Sequence, residues 1–77
     1  MKRWLISYVL YSPGVEHVDF LDALQREGAA RILPFHWILE SGKNAVELQN
    51  RFEALLHPND QLLIAELGEQ VVWRKKE

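Results

Sequence analysis

Residues 3–11 read Arg-Trp-Leu-Ile-Ser-Tyr-Val-Leu-Tyr and run straight into Ser12-Pro13-Gly14. Aromatic and β-branched residues closed by a Ser-Pro-Gly cluster predict a β-strand followed by a turn. Side chains alternate between the faces of a strand. One face then carries Trp4, Ile6, Tyr8 and Leu10, and the other carries Leu5, Ser7, Val9 and Tyr11. Both are largely apolar, so both need cover. A chain of 77 residues has little to cover them with, since a domain of that size buries only about 60% of the surface its unfolded chain exposes.

The rest of the chain supplies two helices and further strands. Residues 15–27 predict a helix whose apolar stripe is Val15, Val18, Leu21 and Leu24 or Ala23, with Glu16 and Asp19 in the first turn, where the helix dipole favours acids. Gly28 is placed to end it in the left-handed conformation. Residues 29–40 hold two strand-like runs, Arg31–Leu33 and His36–Glu40, interrupted by Pro34. They form either one bent edge strand or a hairpin turning at Pro34-Phe35, although neither turn residue favours positive φ. Asn44 followed by Glu47 resembles a capping box and opens a helix with Ala45, Leu48, Phe52, Leu55 and Leu56 on one face, stopped by Pro58. Gln61–Leu67 is a second strongly apolar strand, and Val71–Trp73 predicts a short last strand before the charged end of the chain.

With residues 29–40 as two strands, the order is that of a single α+β domain over residues 1–77: ferredoxin-like, βαββαβ with an extra C-terminal strand. Right-handed crossovers put both helices on one face of the antiparallel sheet. The other face is left bare, and the strands at 3–11 and 61–67 are apolar there too. An apolar patch of that extent marks an interface, and small chains gain stability by associating. A homodimer, sheet against sheet, is expected.

Composition narrows the function. The hydrophobic share of 48% excludes a disordered chain. With no cysteine there is no disulfide, no iron–sulfur cluster and no thiolate zinc site. No apolar run approaches the roughly 20 residues of a membrane span, and Trp4–Tyr11 is not followed by a small-residue cleavage site. No membrane partner and a cytoplasmic location are therefore expected. The net charge of −2 gives no global basic field, yet Lys2 and Arg3, and Arg74, Lys75 and Lys76, cluster near the two ends.

Few residues invite chemistry. His17 has no acid at i±4, so a solvated helix end is expected rather than a metal ligand. His36 reads as a half-exposed strand residue, with an interface or pocket role as the alternative. His57, before Pro58, suits a helix C-terminus. Ser7 is the only polar residue within the first strand and has no histidine or acid beside it in sequence, which argues against a nucleophile. Asp60 is explained by turn chemistry. Trp4, Trp37 and Trp73 have apolar neighbours and read as packing residues rather than base-stacking platforms.

Leu5-Ile6-Ser7-Tyr8-Val9-Leu10 with Pro13-Gly14, then Trp37-Ile38-Leu39, then Asn59-Asp60-Gln61-Leu62-Leu63-Ile64 and Glu66-Leu67, resembles short bacterial and phage proteins related to the CRISPR-associated protein 2 family and to the virulence-associated protein D family. The resemblance implies a ferredoxin-like homodimer with facing sheets, whose last short strand crosses to the partner's sheet, the place that Val71–Trp73 occupies here. Some members of that group are metal-dependent nucleases, and others bridge DNA as scaffolds without needing catalysis. The aspartate that would hold their metal falls on Val9, which has no oxygen to offer a cation. An Asp-Ser pair of the short relatives is replaced by Pro34-Phe35.

The expected function is that of a non-catalytic homodimeric module for interaction or nucleic-acid bridging, with no catalytic or metal-binding residue and no cofactor. The dimer interface is expected at Leu5, Ser7, Val9, Tyr11, Val71, Val72 and Trp73, and nucleic-acid contact at Lys2, Arg3, Arg74, Lys75 and Lys76. The alternative is an endonuclease acting on RNA or DNA with magnesium or manganese held by displaced acids such as Asp60 or Glu66.

Overall fold

A computed structural model describes residues 1–11 and 17–74. Residues 12–16 and 75–77 lie outside the described residues, and with them the first turn at Ser12-Pro13-Gly14, Val15 and Glu16 at the expected start of the first helix, and Lys75 and Lys76 of the basic cluster expected near the end of the chain. The elements are β1 (Lys2–Val9), α1 (Val18–Arg26), β2 (Ala30–Leu33), β3 (His36–Ser41), α2 (Ala45–Glu53) and β4 (Gln61–Glu66). The strands form one sheet in the order β2-β3-β1-β4, with every neighbouring pair antiparallel. This is the α+β, ferredoxin-like βαββαβ plan. No helix of the described residues is long and apolar enough to cross a membrane.

β1 sits in the middle, and its alternation organises the molecule. Trp4, Ile6 and Tyr8 pack with Trp37 and Leu39 of β3 against Phe20, Ala23 and Leu24 of α1 and Leu48 and Phe52 of α2, all at 4% exposure or less. Edge-to-face contacts run from Tyr8 to Phe20 (centroids 4.9 Å apart) and from Phe20 to Phe52 (6.0 Å). One polar demand at the centre is met internally, because Trp37 Nε1 donates to the Tyr8 hydroxyl at 3.0 Å; the buried Nε1 of Trp4 has no partner among the described residues.

Local chemistry fixes the helix ends. After α1 the amide of Gly28 donates to the Gln25 carbonyl and that of Ala29 to the Leu24 carbonyl, each at 3.0 Å. Gly28 has φ 85°, so this is a Schellman motif at the expected glycine. α2 opens on the expected capping box: Glu47 N donates to Asn44 Oδ1 at 2.9 Å and Asn44 N to Glu47 Oε1 at 3.2 Å. Its expected stripe ran on to Leu56, but the helix stops at Glu53, and the amides of Leu55 and Leu56 close three-residue turns on the carbonyls of Phe52 and Glu53. Pro58 has no N–H to continue the ladder and turns the preceding residue away from helical conformation. In α1 the buried face is centred on Phe20, and Val18, expected within the stripe, is 59% exposed. The largest apolar side chain of the helix sets which way it rolls.

Residues 29–40 form the hairpin, with Pro34 and Phe35 as its turn. Among the described residues no non-glycine residue has positive φ, so this is not one of the mirror-image turns hairpins favour. Other groups hold it. Arg31 donates from Nε (3.1 Å) and Nη2 (2.6 Å) to the Pro34 carbonyl while its guanidinium lies 5.6 Å from the Trp37 ring centroid. The Tyr8 amide donates to the Phe35 carbonyl at 3.2 Å. The strand register shifts between Arg31 and Leu33, the irregularity of a bulge next to the turn.

Val71–Trp73 corrects one expectation: these residues form no strand within the chain. A strand needs a neighbour for its hydrogen bonds, and these residues pair with none of β1–β4. β1 likewise stops at Val9, short of Tyr11, because the ladder to β3 ends at Ser7–His36 and that to β4 at Val9–Gln61.

Candidate functional site

The sheet face turned away from the helices gathers Leu5, Ser7 and Val9 of β1, His36 and Ile38 of β3, and Leu63 and Ala65 of β4. Cross-strand pairing sets Leu5 between Ile38 and Ala65, Ser7 between His36 and Leu63, and Val9 beside Gln61. The result is an apolar band with a hydroxyl and an imidazole near its middle. It is open: Val9 is 45% and Leu63 56% exposed. An open hollow of about 470 Å³ lies over Ser7, Tyr8, Val9, Gln61, Leu62 and Leu63. Ser7 and His36 are cross-strand neighbours with no hydrogen bond between them among the described residues, and His36 Nδ1 is buried without a partner there. No acid stands across from either in the strand pairing, so the pair lacks the third group that orients a base for a nucleophile. Val9, where the metal-holding aspartate of the resembled family would fall, lines the hollow with a side chain that has no oxygen to offer.

The chain leaving β4 adds the second part. Leu67 N donates to the Arg3 carbonyl at 2.9 Å, and Arg3 Nη2 donates to the carbonyls of Gly68 (2.9 Å) and Glu69 (3.2 Å). Beyond them Val71 is half-buried, while Val72 is 95% and Trp73 47% exposed. Of the expected basic residues, Lys2 meets Glu66 at 3.7 Å in an exposed pair, Arg74 is exposed, and Arg3 is engaged by carbonyls. Tyr11, expected at the interface, is exposed beyond the end of β1, and its amide donates to Asp60 Oδ1 at 2.8 Å.

Asp60 is the hub of a knot that sequence reasoning missed. Its Oδ2 lies 2.9 Å from His17 Nε2 and accepts from His57 N at 3.0 Å. The His17 and Asp60 side chains are 7% and 0% exposed, and the His17 and His57 rings meet edge to face, 5.6 Å apart. Burial alone raises the Asp60 pKa. The amides of His57 and Tyr11 and the ring of His17 outweigh it and bring the carboxyl down to about 2 from 3.8. His17 is thus no solvated helix end; it ties the start of α1 to the loop before β4. Nothing short-range signals a contact spanning 43 residues.

This geometry bears on the displaced acids. Asp60, with both carboxylate oxygens occupied, precedes the first residue of β4, and Glu66 is its last. At about 3.3 Å per residue they stand roughly 20 Å apart, too far to share a cation. Among the described residues no three His, Asp or Glu side chains group in a way that would hold a metal ion.

Comparison with known proteins finds no matching family model, no matching curated protein and no matching solved structure.

Proposed function

We propose that this chain is a cytoplasmic, non-catalytic interaction module that works as a homodimer, with two helix-free faces meeting and the basic residues near the chain ends bridging nucleic acid, in the manner of the proteins related to CRISPR-associated protein 2 that it resembles. One observation carries the reading: an apolar sheet face, with Val9 and Leu63 about half exposed, that no element among the described residues covers. Exposed apolar surface of that kind is characteristic of an interface, and one face serving both copies is how a two-fold dimer is built. The valine at position 9 and the full occupancy of Asp60 favour a scaffold over an enzyme.

Sedimentation velocity tests the assembly. The expected result is a species of about 18 kDa, twice the 9.0 kDa chain; a monomer alone throughout the micromolar range would overturn it. Bridging predicts nucleic-acid affinity that falls steeply with salt and is lost on removal of residues 74–77. Cleavage of labelled RNA or DNA with magnesium or manganese, abolished by Glu66→Ala with the fold intact, would refute the non-catalytic reading.

A further inference from the structure

Three hydrogen bonds hold the chain as it leaves β4, and all of them involve Arg3. Its carbonyl accepts from Leu67 N at 2.9 Å, extending the ladder between β1 and β4 one step past Glu66. Its Nη2 then spans the next two carbonyls, Gly68 at 2.9 Å and Glu69 at 3.2 Å. Glu40 stands directly across from Arg3 on β3, yet among the described residues no ion pair joins them. The guanidinium takes two backbone carbonyls in place of the carboxylate across the ladder. Both bonds leave from the one nitrogen, whose two N–H groups serve the two carbonyls; a lysine has N–H donors enough, but on a shorter stem and in a freely rotating ammonium less pre-organised for the pair. Two residues further on begins Val71-Val72-Trp73, an apolar arm with Val72 95% and Trp73 47% exposed. The same chain carries an uncovered apolar face beside the strand from which the arm departs. Two complementary surfaces left over on one chain are both satisfied by a second copy related by a two-fold axis.

We propose that Arg3 is a positioning residue for this arm: by fixing Gly68 and Glu69 it sets the direction in which Val71–Trp73 leave the sheet toward a second copy of the chain. The second copy as occupant rests on the self-association proposed above; the fixing of the arm does not. Arg3 is on this account withdrawn from the phosphate contacts expected of it, and Lys2, one residue away, is not.

The test compares Arg3→Met and the milder Arg3→Lys with Lys2→Met in the full chain. Backbone ¹⁵N order parameters of residues 67–69 are measured at a dilution where the protein is monomeric, and the dimer dissociation constant by sedimentation. In the wild type these amides are expected near the rigid value of about 0.85, and in both Arg3 variants below about 0.6, with the thermal midpoint of the domain within a few degrees of wild type. Dimer affinity is expected to fall at least tenfold in both Arg3 variants and less than twofold in Lys2→Met. Unchanged order parameters in both Arg3 variants overturn the proposal whatever the assembly state. So does Lys2→Met weakening the dimer as much as Arg3→Met, since the effect would then be one of charge. Amides rigid in the wild type and loosened in the Arg3 variants, in a protein that never dimerises, uphold the fixing of the arm and refute the self-association.

Discussion

On the helix-covered side of the sheet, Trp4, Ile6, Tyr8, Trp37 and Leu39 are at most 4% exposed; on the other, Leu5 and Ile38 are half-buried and Val9 and Leu63 about half exposed. The two sets alternate along the same strands, and their residue types barely differ. What separates them is cover: α1 and α2 both lie on one side, because both crossovers of this topology have the same hand. Burial here belongs to the architecture more than to the amino acid. The covered face supplies the stability of the single chain. The bare face holds apolar surface in reserve, worth about 25 cal/mol for each Å² hidden, of which association keeps only the surplus over its entropic cost.

Substitutions on the two faces should therefore separate folding from association. The largest effect is expected from Phe52→Ala, which empties a fully buried site between α2 and the sheet. Such truncations cost about 3–5 kcal/mol, against about 4–12 kcal/mol for a whole domain of 77 residues. Urea unfolding should show the midpoint collapse, and a loss below about 1 kcal/mol would mean the covered face is not the core.

A narrower effect is expected from Asp60→Asn. The carboxyl titrates at about 2 in the folded chain against 3.8 ordinarily, so its ionised form favours the fold. That contribution is complete above about pH 5 and is lost as the pH falls toward 2. Thermal midpoints from pH 6 to 2 should drop in the wild type and run flatter in the variant. Parallel curves would show that the His17–Asp60 knot contributes nothing to acid stability.

Asn44→Ala removes the cap of α2 and should cost about 1 kcal/mol, read from the same urea titration and independent of protein concentration. Smallest of all for the single chain is Val9→Asp, on the bare face. Its effect on unfolding in dilute solution should stay within about 0.5 kcal/mol, as for other exposed sites, while dimer affinity falls at least tenfold. If the monomer is destabilised as badly as by Phe52→Ala, the contrast between the faces fails.

Much of this was readable from local pattern. The alternation in β1, the glycine ending α1 and the Asn44–Glu47 box each act within a few residues and are found where the chain implies them. The hairpin at Pro34-Phe35 was ambiguous because its turn chemistry is poor, and what holds it is the Arg31 fork and the Tyr8 amide, contacts specified by geometry and not by composition. The knot around Asp60 and the grip of Arg3 on Gly68 and Glu69 were not legible at all. Apart from the His57 amide, three residues from Asp60 and within reach of the turn reading, they join residues 43 to 66 positions apart, and a polar residue carries no mark of its distant partner. The strand expected at Val71–Trp73 shows the reverse limit: its pattern suits a strand, but pairing needs a neighbour that sequence alone does not provide.

The place of β1 has a consequence for how the chain is made. The central strand is synthesised before the other three, and its second neighbour, β4, ends 57 residues after β1 does (66 − 9). At about 5–20 residues per second this is a delay of roughly 3–11 s. Throughout it, the strand with two apolar faces has at most one flank paired. The nascent chain is then most prone to aggregate just before β4 emerges, and a chain cut short between α2 and β4 would be the most adhesive form of this protein.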